Sequence, residues 1–287
     1  MTKQASTGKN SGQFEYWNSV NGQKWTANQE AQDRHLSALS DRLFDHAAIQ
    51  PGERIVDIGC GTGATALRAA RTVGSDGAVL GIDLSNPMLD RARERAKEDG
   101  IANLTLEIAD AQSHVFEQSA FDLLQSRFGV MFFENPTAAF TNLRTALRPG
   151  GRLCFVCWSA MADNPWFNIP QTVASRHLGK PEATSPRAPG PTAFAETEYV
   201  TEILDGAGFQ DVQITTETCP LIGEPSLAET AAFATNMGPA SRLIRQHNPP
   251  PEIVAAISEE IKEALSPYDS PEGVRVPARL NFVRARN

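Results

Sequence analysis

Residues 54–64, RIVDIGCGTGA, constrain this chain more than any other stretch. Ile55, Val56 and Ile58 form a short strand pattern, Gly59-Cys60-Gly61-Thr62-Gly63 interrupts it, and an alanine-rich helical pattern follows. A strand that runs into glycines and then a helix brings bare backbone N–H groups against a ligand, because glycine has no Cβ to hold the ligand off. Units of this kind sit in α/β sheets, where ligands bind outside the carboxyl ends of the strands.

Gly59, Gly61 and Ala64 also satisfy the dinucleotide fingerprint G-x-G-x-x-G/A, so the loop alone leaves the ligand open. Asp57, at the end of the strand, discriminates. Its carboxylate would face a dinucleotide pyrophosphate at a cost of about 1 kcal/mol at 4 Å in bulk water and about 4 at an effective dielectric of 20. The same carboxylate suits a ligand with an ammonium and a sulfonium group. S-adenosylmethionine carries both.

The pattern then repeats along the chain. Ala66, Leu67, Ala70 and Val73 recur at helical spacing, with Arg68 and Arg71 on the outer face. Residues 78–84 form a second strand pattern around Asp83, and Ser85 with Pro87 opens a helix running to Gly100. A third strand, Leu104 to Ile108, leads to Asp110. A fourth, Phe121 to Gln125, leads to Ser126-Arg127-Phe128. Asn135 and Pro136 open a helix that stops at Pro149-Gly150-Gly151, and Arg152 to Trp158 is the fifth strand. This alternation implies a parallel sheet with helices on both faces, with Asp57, Asp83, Asp110 and Arg127 at the strand ends.

The flanks are less regular. Residues 1–12 are polar and expected to be disordered, and the stretch from Phe14 to His46 reads as helical, with Tyr16, Trp17 and Trp25 clustered early. Such aromatics either pack a helix onto the domain or cover the cofactor as a lid. After Trp158 come a helix over 164–178, a proline-rich loop, a helix over 196–207 and a sixth strand over 209–218. A helical insertion over 226–265 and a last strand over 279–286 complete the chain.

With 287 residues, 41% of them hydrophobic and 21% charged, the chain has the composition of a globular α/β protein carrying insertions. Its net charge of −8 opposes a nucleic-acid partner and favours a small molecule. The polar N-terminus lacks the apolar core of a signal peptide, and no apolar run is long enough for a membrane span, so stable membrane insertion is not expected and a cytoplasmic location is. Of the four cysteines, Cys154 and Cys157 have C-x-x-C spacing inside a strand pattern. Their odd separation sends them to opposite faces, which argues against a redox or metal site.

Four further segments join VDIGCGTG in order: IDLSNPML, IADAQ, FDLLQSRFGVMFF and LRPGGRL. Together they resemble the class I S-adenosylmethionine-dependent methyltransferases, most closely the ubiquinone/menaquinone C-methyltransferase type, strongly over residues 50–158 and loosely over the whole chain. The resemblance implies a Rossmann-like, seven-stranded, mostly parallel sheet whose last strand is antiparallel, with a helical cap insertion. It divides the chain into an N-terminal helical lid (1–46), a cofactor-binding core (47–160) and the rest of the sheet with its cap (161–287). It also implies that Asp57 holds the methionine ammonium, with the backbone of Gly59, Cys60 and Gly61 along the cofactor. Asp83, followed by Leu84, would accept the ribose hydroxyls. Met88 would pack on the adenine, and Asp110 would accept from the adenine amino group beside Ala111 and Gln112. Arg127 would bind the methionine carboxylate or a substrate anion, or else pair with an acid at the rim.

The resemblance thus implies methyl transfer to a small, partly apolar acceptor, with a wall from Trp158, Trp166 and Phe167. His35, His114 and Tyr16 are candidates for a general base, and none sits in a motif that would make it catalytic. No metal is implied, and a homo-oligomer stays open. Two other classes are weighed against this reading. A nicotinamide-dependent oxidoreductase is opposed by Asp57 and by the lack of a Tyr-x-x-x-Lys pair. A non-catalytic protein of the same fold is opposed only by the intact motifs.

Overall fold

The structure is a computed structural model that describes residues 10–287. Seven strands form one sheet: β1 (Arg54–Ile58), β2 (Ala78–Asp83), β3 (Leu104–Ile108), β4 (Phe121–Arg127), β5 (Leu147–Trp158), β6 (Gln210–Ile222) and β7 (Arg275–Arg286). Their spatial order is β3-β2-β1-β4-β5-β7-β6. Neighbours from β3 to β5 are parallel, and β7 runs antiparallel to both β5 and β6. The strand order reverses between β1 and β4, so the crevice for a ligand opens at their carboxyl ends, beside the glycine loop. The expected α/β sheet is therefore present, with its single antiparallel strand last.

Helices α4 (Ser37–Ala47), α5 (Ala64–Val73), α6 (Asn86–Glu98), α7 (Pro136–Ala146) and α9 (Thr197–Gly206) flank the sheet, and α8 (Pro165–Leu178) follows β5. Cys154 and Cys157 mark its two faces. The Sγ of Cys154 lies 3.9 Å from Leu43 O of α4, whereas that of Cys157 lies 3.6 Å from Phe194 O. Both thiols are buried and free, as the odd spacing requires. On the Cys157 face, Phe140 of α7 packs against Phe155 and Phe194 at ring distances of 5.6 and 6.2 Å, and all three rings are fully enclosed.

Several boundaries differ from the sequence pattern. The disorder expected over residues 1–12 falls largely outside the described residues, but Ser11 already opens a helix. The stretch expected to be helical from Phe14 to His46 is helical, in four pieces: α1 (Ser11–Asn18), α2 (Val20–Ala27), α3 (Gln29–His35) and α4. At two of the breaks a side chain bonds the preceding turn. The Ser19 hydroxyl donates to Tyr16 O at 2.7 Å and the Asn28 amide to Lys24 O at 2.8 Å, bonds that compete with helix continuation. β5 starts at Leu147 rather than Arg152, because the Pro149-Gly150-Gly151 stretch is drawn into the sheet edge. There Gly150 N donates to Asn287 O and Asn287 N to Gly151 O. β4 extends to Arg127 because Ser126 and Arg127 still pair with Phe155 and Val156. β6 and β7 run past the end of β5, pairing with each other as far as Ile222 and Arg275.

Between those two ends lie the cap helices α10 (Leu227–Asn236), α11 (Pro239–His247) and α12 (Pro251–Leu265). β6 runs in the same direction as β4 and β5, so the cap leaves from the carboxyl end of the sheet. Ile257, Ile261 and Leu265, four apart, form the fully buried seam of α12. No helix among the described residues is long and apolar enough to cross a membrane.

The glycine loop meets the turn that follows β4 at one tight contact. Gly59 has φ +66°, and a Cβ there would stand 2.6 Å from Gly129 Cα. Gly59→Ala is therefore expected to lose about 2 kcal/mol of stability, from the left-handed backbone and from overpacking against main chain. Urea unfolding at wild-type stability would disprove this close approach.

Candidate active site

The loop is held by its neighbours. Gly59 N and Cys60 N both donate to Ile82 O, at 2.9 and 3.1 Å, which ties the loop to β2. Gly61 N donates to Asp83 Oδ2 at 2.8 Å, and Ser85 N to Asp83 Oδ1 at 2.8 Å. Asp83 thus anchors both the glycine loop and the start of α6. Burial raises its pKa, against the pull of the Ser85, Gly61 and Leu84 N–H groups.

Asp57 is wholly buried. Its Oδ2 accepts from the Thr65 hydroxyl at 2.6 Å, while Oδ1 has no partner among the described residues. Burial pushes its carboxyl up to about 7, opposed by the Thr65 hydroxyl, the Arg127 guanidinium and the neighbouring Gln125 amide, which stands beyond hydrogen-bond geometry. The loop itself is open: at Gly61, with φ +55°, the only atom of the described residues within 4 Å of a built Cβ is Met88 Sδ, at 3.8 Å. An unpartnered buried carboxylate oxygen beside an open glycine cradle fits a cationic ligand lying along the loop. Cys60 lines the same turn, and burial raises its thiol well above the usual range, so it is no nucleophile.

The remaining expected residues lie at the start of α6 and at or just beyond the ends of β2, β3 and β4. Met88 is buried in the first turn of α6. Leu84 O accepts from Asn18 Nδ2 at 2.8 Å, which carries α1 onto the same turn. Asp110 accepts at Oδ1 from Gln112 N and Asn10 Nδ2, at 3.0 and 2.7 Å. Ala111 is buried, and Gln112 Oε1 accepts from Asn135 N at 3.0 Å while its Nε2 is unpartnered. Arg127 Nη1 donates to Ser40 Oγ at 2.9 Å, and the guanidinium forms no ion pair among the described residues. Burial lowers its pKa against the attraction of Asp33 and Asp57.

Aromatic rings close the carboxyl ends of β4 and β5. Phe128 stacks on Trp158 at 4.6 Å and 5°, and Phe167 meets Trp158 edge-on at 4.6 Å. Trp17 of α1 touches Phe132 at 5.3 Å, so the N-terminal aromatics reach the segment after β4. His35 packs against Trp166 at 4.1 Å and Phe233 at 5.5 Å. Its Nδ1 lies 2.9 Å from Ile222 O; a carbonyl only accepts, so Nδ1 carries the proton and the unpartnered Nε2 a lone pair. Burial lowers His35 to about 4, which keeps it neutral. Of the other base candidates, Tyr16 is 45% exposed and His114 lies 4.0 Å from Glu107, apart from the aromatic wall.

Sequence reasoning missed Thr65, Asn10 and Asn18. Thr65 had a signal, as a hydroxyl in the first turn of an otherwise aliphatic helix start; the two asparagines act across the fold and had none.

Residues 49–208 match the model of the family described as methyltransferase domain. The chain belongs to this family. It is 34% identical over 194 residues to the aklanonic acid methyltransferase DauC of Streptomyces sp. (strain C5), covering 64% of this chain and 87% of that one. It is 30% identical over 125 residues to the ubiquinone/menaquinone biosynthesis C-methyltransferase UbiE of Ruegeria sp. (strain TM1040), covering 43% of this chain and 50% of that enzyme. Among solved structures, the YcgJ protein of Bacillus subtilis superposes with a TM-score of 0.55 at 16% identity, over 86% of this chain and 97% of that one, a likeness of fold. The methyltransferase family takes S-adenosylmethionine, and the Asp57 oxygen and the Gly61 cradle suit it. The chain is therefore an S-adenosylmethionine-dependent methyltransferase acting on a small, partly apolar molecule.

Proposed function

We propose that the acceptor is an aromatic or lipid-like small molecule, enclosed between the N-terminal helices as a lid and the cap α10–α12. The supporting observation is the run of rings Phe128, Trp158 and Phe167 at the carboxyl ends of β4 and β5, with Trp166 and Phe233 beyond. Such a wall binds a flat apolar body and leaves little room for a folded protein or a duplex. The lid, residues 1–46, and the core, 47–160, are proposed as the units that open and hold the site.

On the cofactor side, Asp57 Oδ1 receives the ammonium and Arg127 the carboxylate of the methionine part. Gly59, Cys60 and Gly61 offer main chain, Asp83 and Leu84 flank the ribose, Met88 and Ala111 pack on the base, and Asp110 with Gln112 reads its edge. When bound, S-adenosylmethionine supplies an electrophilic methyl group whose leaving thioether departs neutral, so the protein need not stabilise a developing anion. The chain's task is alignment, which can supply roughly 7 to 11 kcal/mol of the barrier. No residue is assigned as general base; one is required only where the acceptor must shed a proton.

S-adenosylhomocysteine is expected to bind and raise the melting temperature, while NAD and NADP leave it unchanged. Micromolar NAD binding by calorimetry without S-adenosylhomocysteine binding would overturn the cofactor assignment. A complex structure with an open, flat, basic surface at the sulfur would overturn the acceptor.

A further inference from the structure

A cleft of about 620 Å³ between α2, α10, α11 and α12 shares no lining residue with the glycine loop. Ile244 and Val254 give it apolar walls, and its polar floor is built from Lys24, Asn236, Ser241 and Arg245. Lys24 Nζ donates to Asn236 Oδ1 at 3.0 Å and approaches Ser241 Oγ at 3.5 Å, while Arg245 Nη1 donates to the same Ser241 Oγ at 3.4 Å. Two cations therefore converge on one buried hydroxyl. Neither has a carboxylate partner among the described residues, and no acidic residue lines the cleft.

This arrangement is electrostatically incomplete. Burial and the Arg245 charge both disfavour the Lys24 cation. The chain has 34 carboxylates for 26 cations, yet Lys24 and Arg245 both reach Ser241 with no acid between them. An anion between them would remove their repulsion and accept hydrogen bonds from both, while the walls offer apolar contact.

We propose that this cleft binds a small amphiphilic organic anion, its carboxylate held between Lys24 and Arg245 and its apolar body along Ile244 and Val254. The site joins the N-terminal helices to the cap, so its occupant would brace the two against each other. Binding here requires no assumption about methyl transfer.

The test is calorimetry of 2-naphthoate on the full chain, with 2-naphthamide as the uncharged counterpart, in saturating S-adenosylhomocysteine. Lys24→Met and Arg245→Met should each weaken 2-naphthoate about tenfold or more, the scale of a lost charge-assisted hydrogen bond. Arg242→Met removes a cation of α11 that does not line the cleft and should change affinity less than about twofold, since its charge acts only through screened solvent. Melting temperature and S-adenosylhomocysteine affinity should stay at wild-type values in all three, showing that the fold and the cofactor site are intact. No measurable 2-naphthoate binding, equal binding of 2-naphthamide, or equal weakening by Arg242→Met would each overturn the proposal.

Discussion

Asp57→Asn is expected to weaken S-adenosylhomocysteine binding by roughly a hundredfold while making the free protein more stable at pH 8. A hundredfold corresponds to about 2.7 kcal/mol, within the range for truncating one partner of a buried charged hydrogen bond. The opposite sign on stability follows from burial. The folded carboxyl is raised from 3.8 to about 7, so between those values the folded state binds more protons than the unfolded one. Stability of the free protein therefore falls as pH rises from about 4 to about 7 and then levels, with ionised Asp57 held in the fold at a cost. Asparagine keeps an acceptor for the Thr65 hydroxyl without the charge, so this slope should vanish. Binding has the reverse dependence. Below pH 7 an incoming ammonium must expel the proton, and wild-type affinity should drop about tenfold per pH unit. Calorimetry from pH 5.5 to 8.5 with urea unfolding at the same pH values reads both effects. Tight binding by the variant, or a wild-type affinity flat across pH 7, would remove Asp57 from the ligand.

How far the sequence foretold this site depends on how local each feature is. The strand, glycine loop and helix of residues 54–73 were legible because glycine positions and hydrophobic period act within a few residues. Asp57, Asp83 and Asp110 followed from their strand ends. The unpartnered oxygen of Asp57 did not, since it depends on Thr65 taking one oxygen and leaving the other. The breaks at Ser19 and Asn28 are decided by single side-chain bonds to the preceding turn, which compete with an otherwise helical pattern. The length of β6 and β7 is set by their mutual pairing beyond β5, a contact between segments far apart in the chain. Asn10 on Asp110, Asn18 on Leu84 and Lys24 beside Arg245 are likewise tertiary, and no motif marks them. Methyl-accepting chemistry is the least legible part, because an aromatic wall specifies shape and polarity rather than one reacting atom.

Asp83→Ala shows how the structure changes an expectation. From sequence, the carboxylate serves the ribose alone, so its loss should weaken cofactor binding by about 1.5 to 3 kcal/mol and spare the fold. In the structure each of its oxygens already accepts a main-chain N–H, from Gly61 and from Ser85, at 2.8 Å. Alanine would leave two donors without acceptors, one in the glycine loop and one at the start of α6. Leaving a buried donor unsatisfied costs about 1 to 3 kcal/mol, so a combined loss of about 3 kcal/mol in folding stability is expected, on top of the weaker binding. The loop should lose its hold on β2 at Gly61 while the bonds of Gly59 and Cys60 to Ile82 remain, so hydrogen exchange should quicken at Gly61 and Ser85 first. Asp83→Asn, which retains one acceptor oxygen, should recover part of the stability and less of the affinity. Urea unfolding and calorimetry on both variants separate the two roles: wild-type stability in Asp83→Ala would refute the anchor, and wild-type affinity in a destabilised Asp83→Ala would refute the ribose contact.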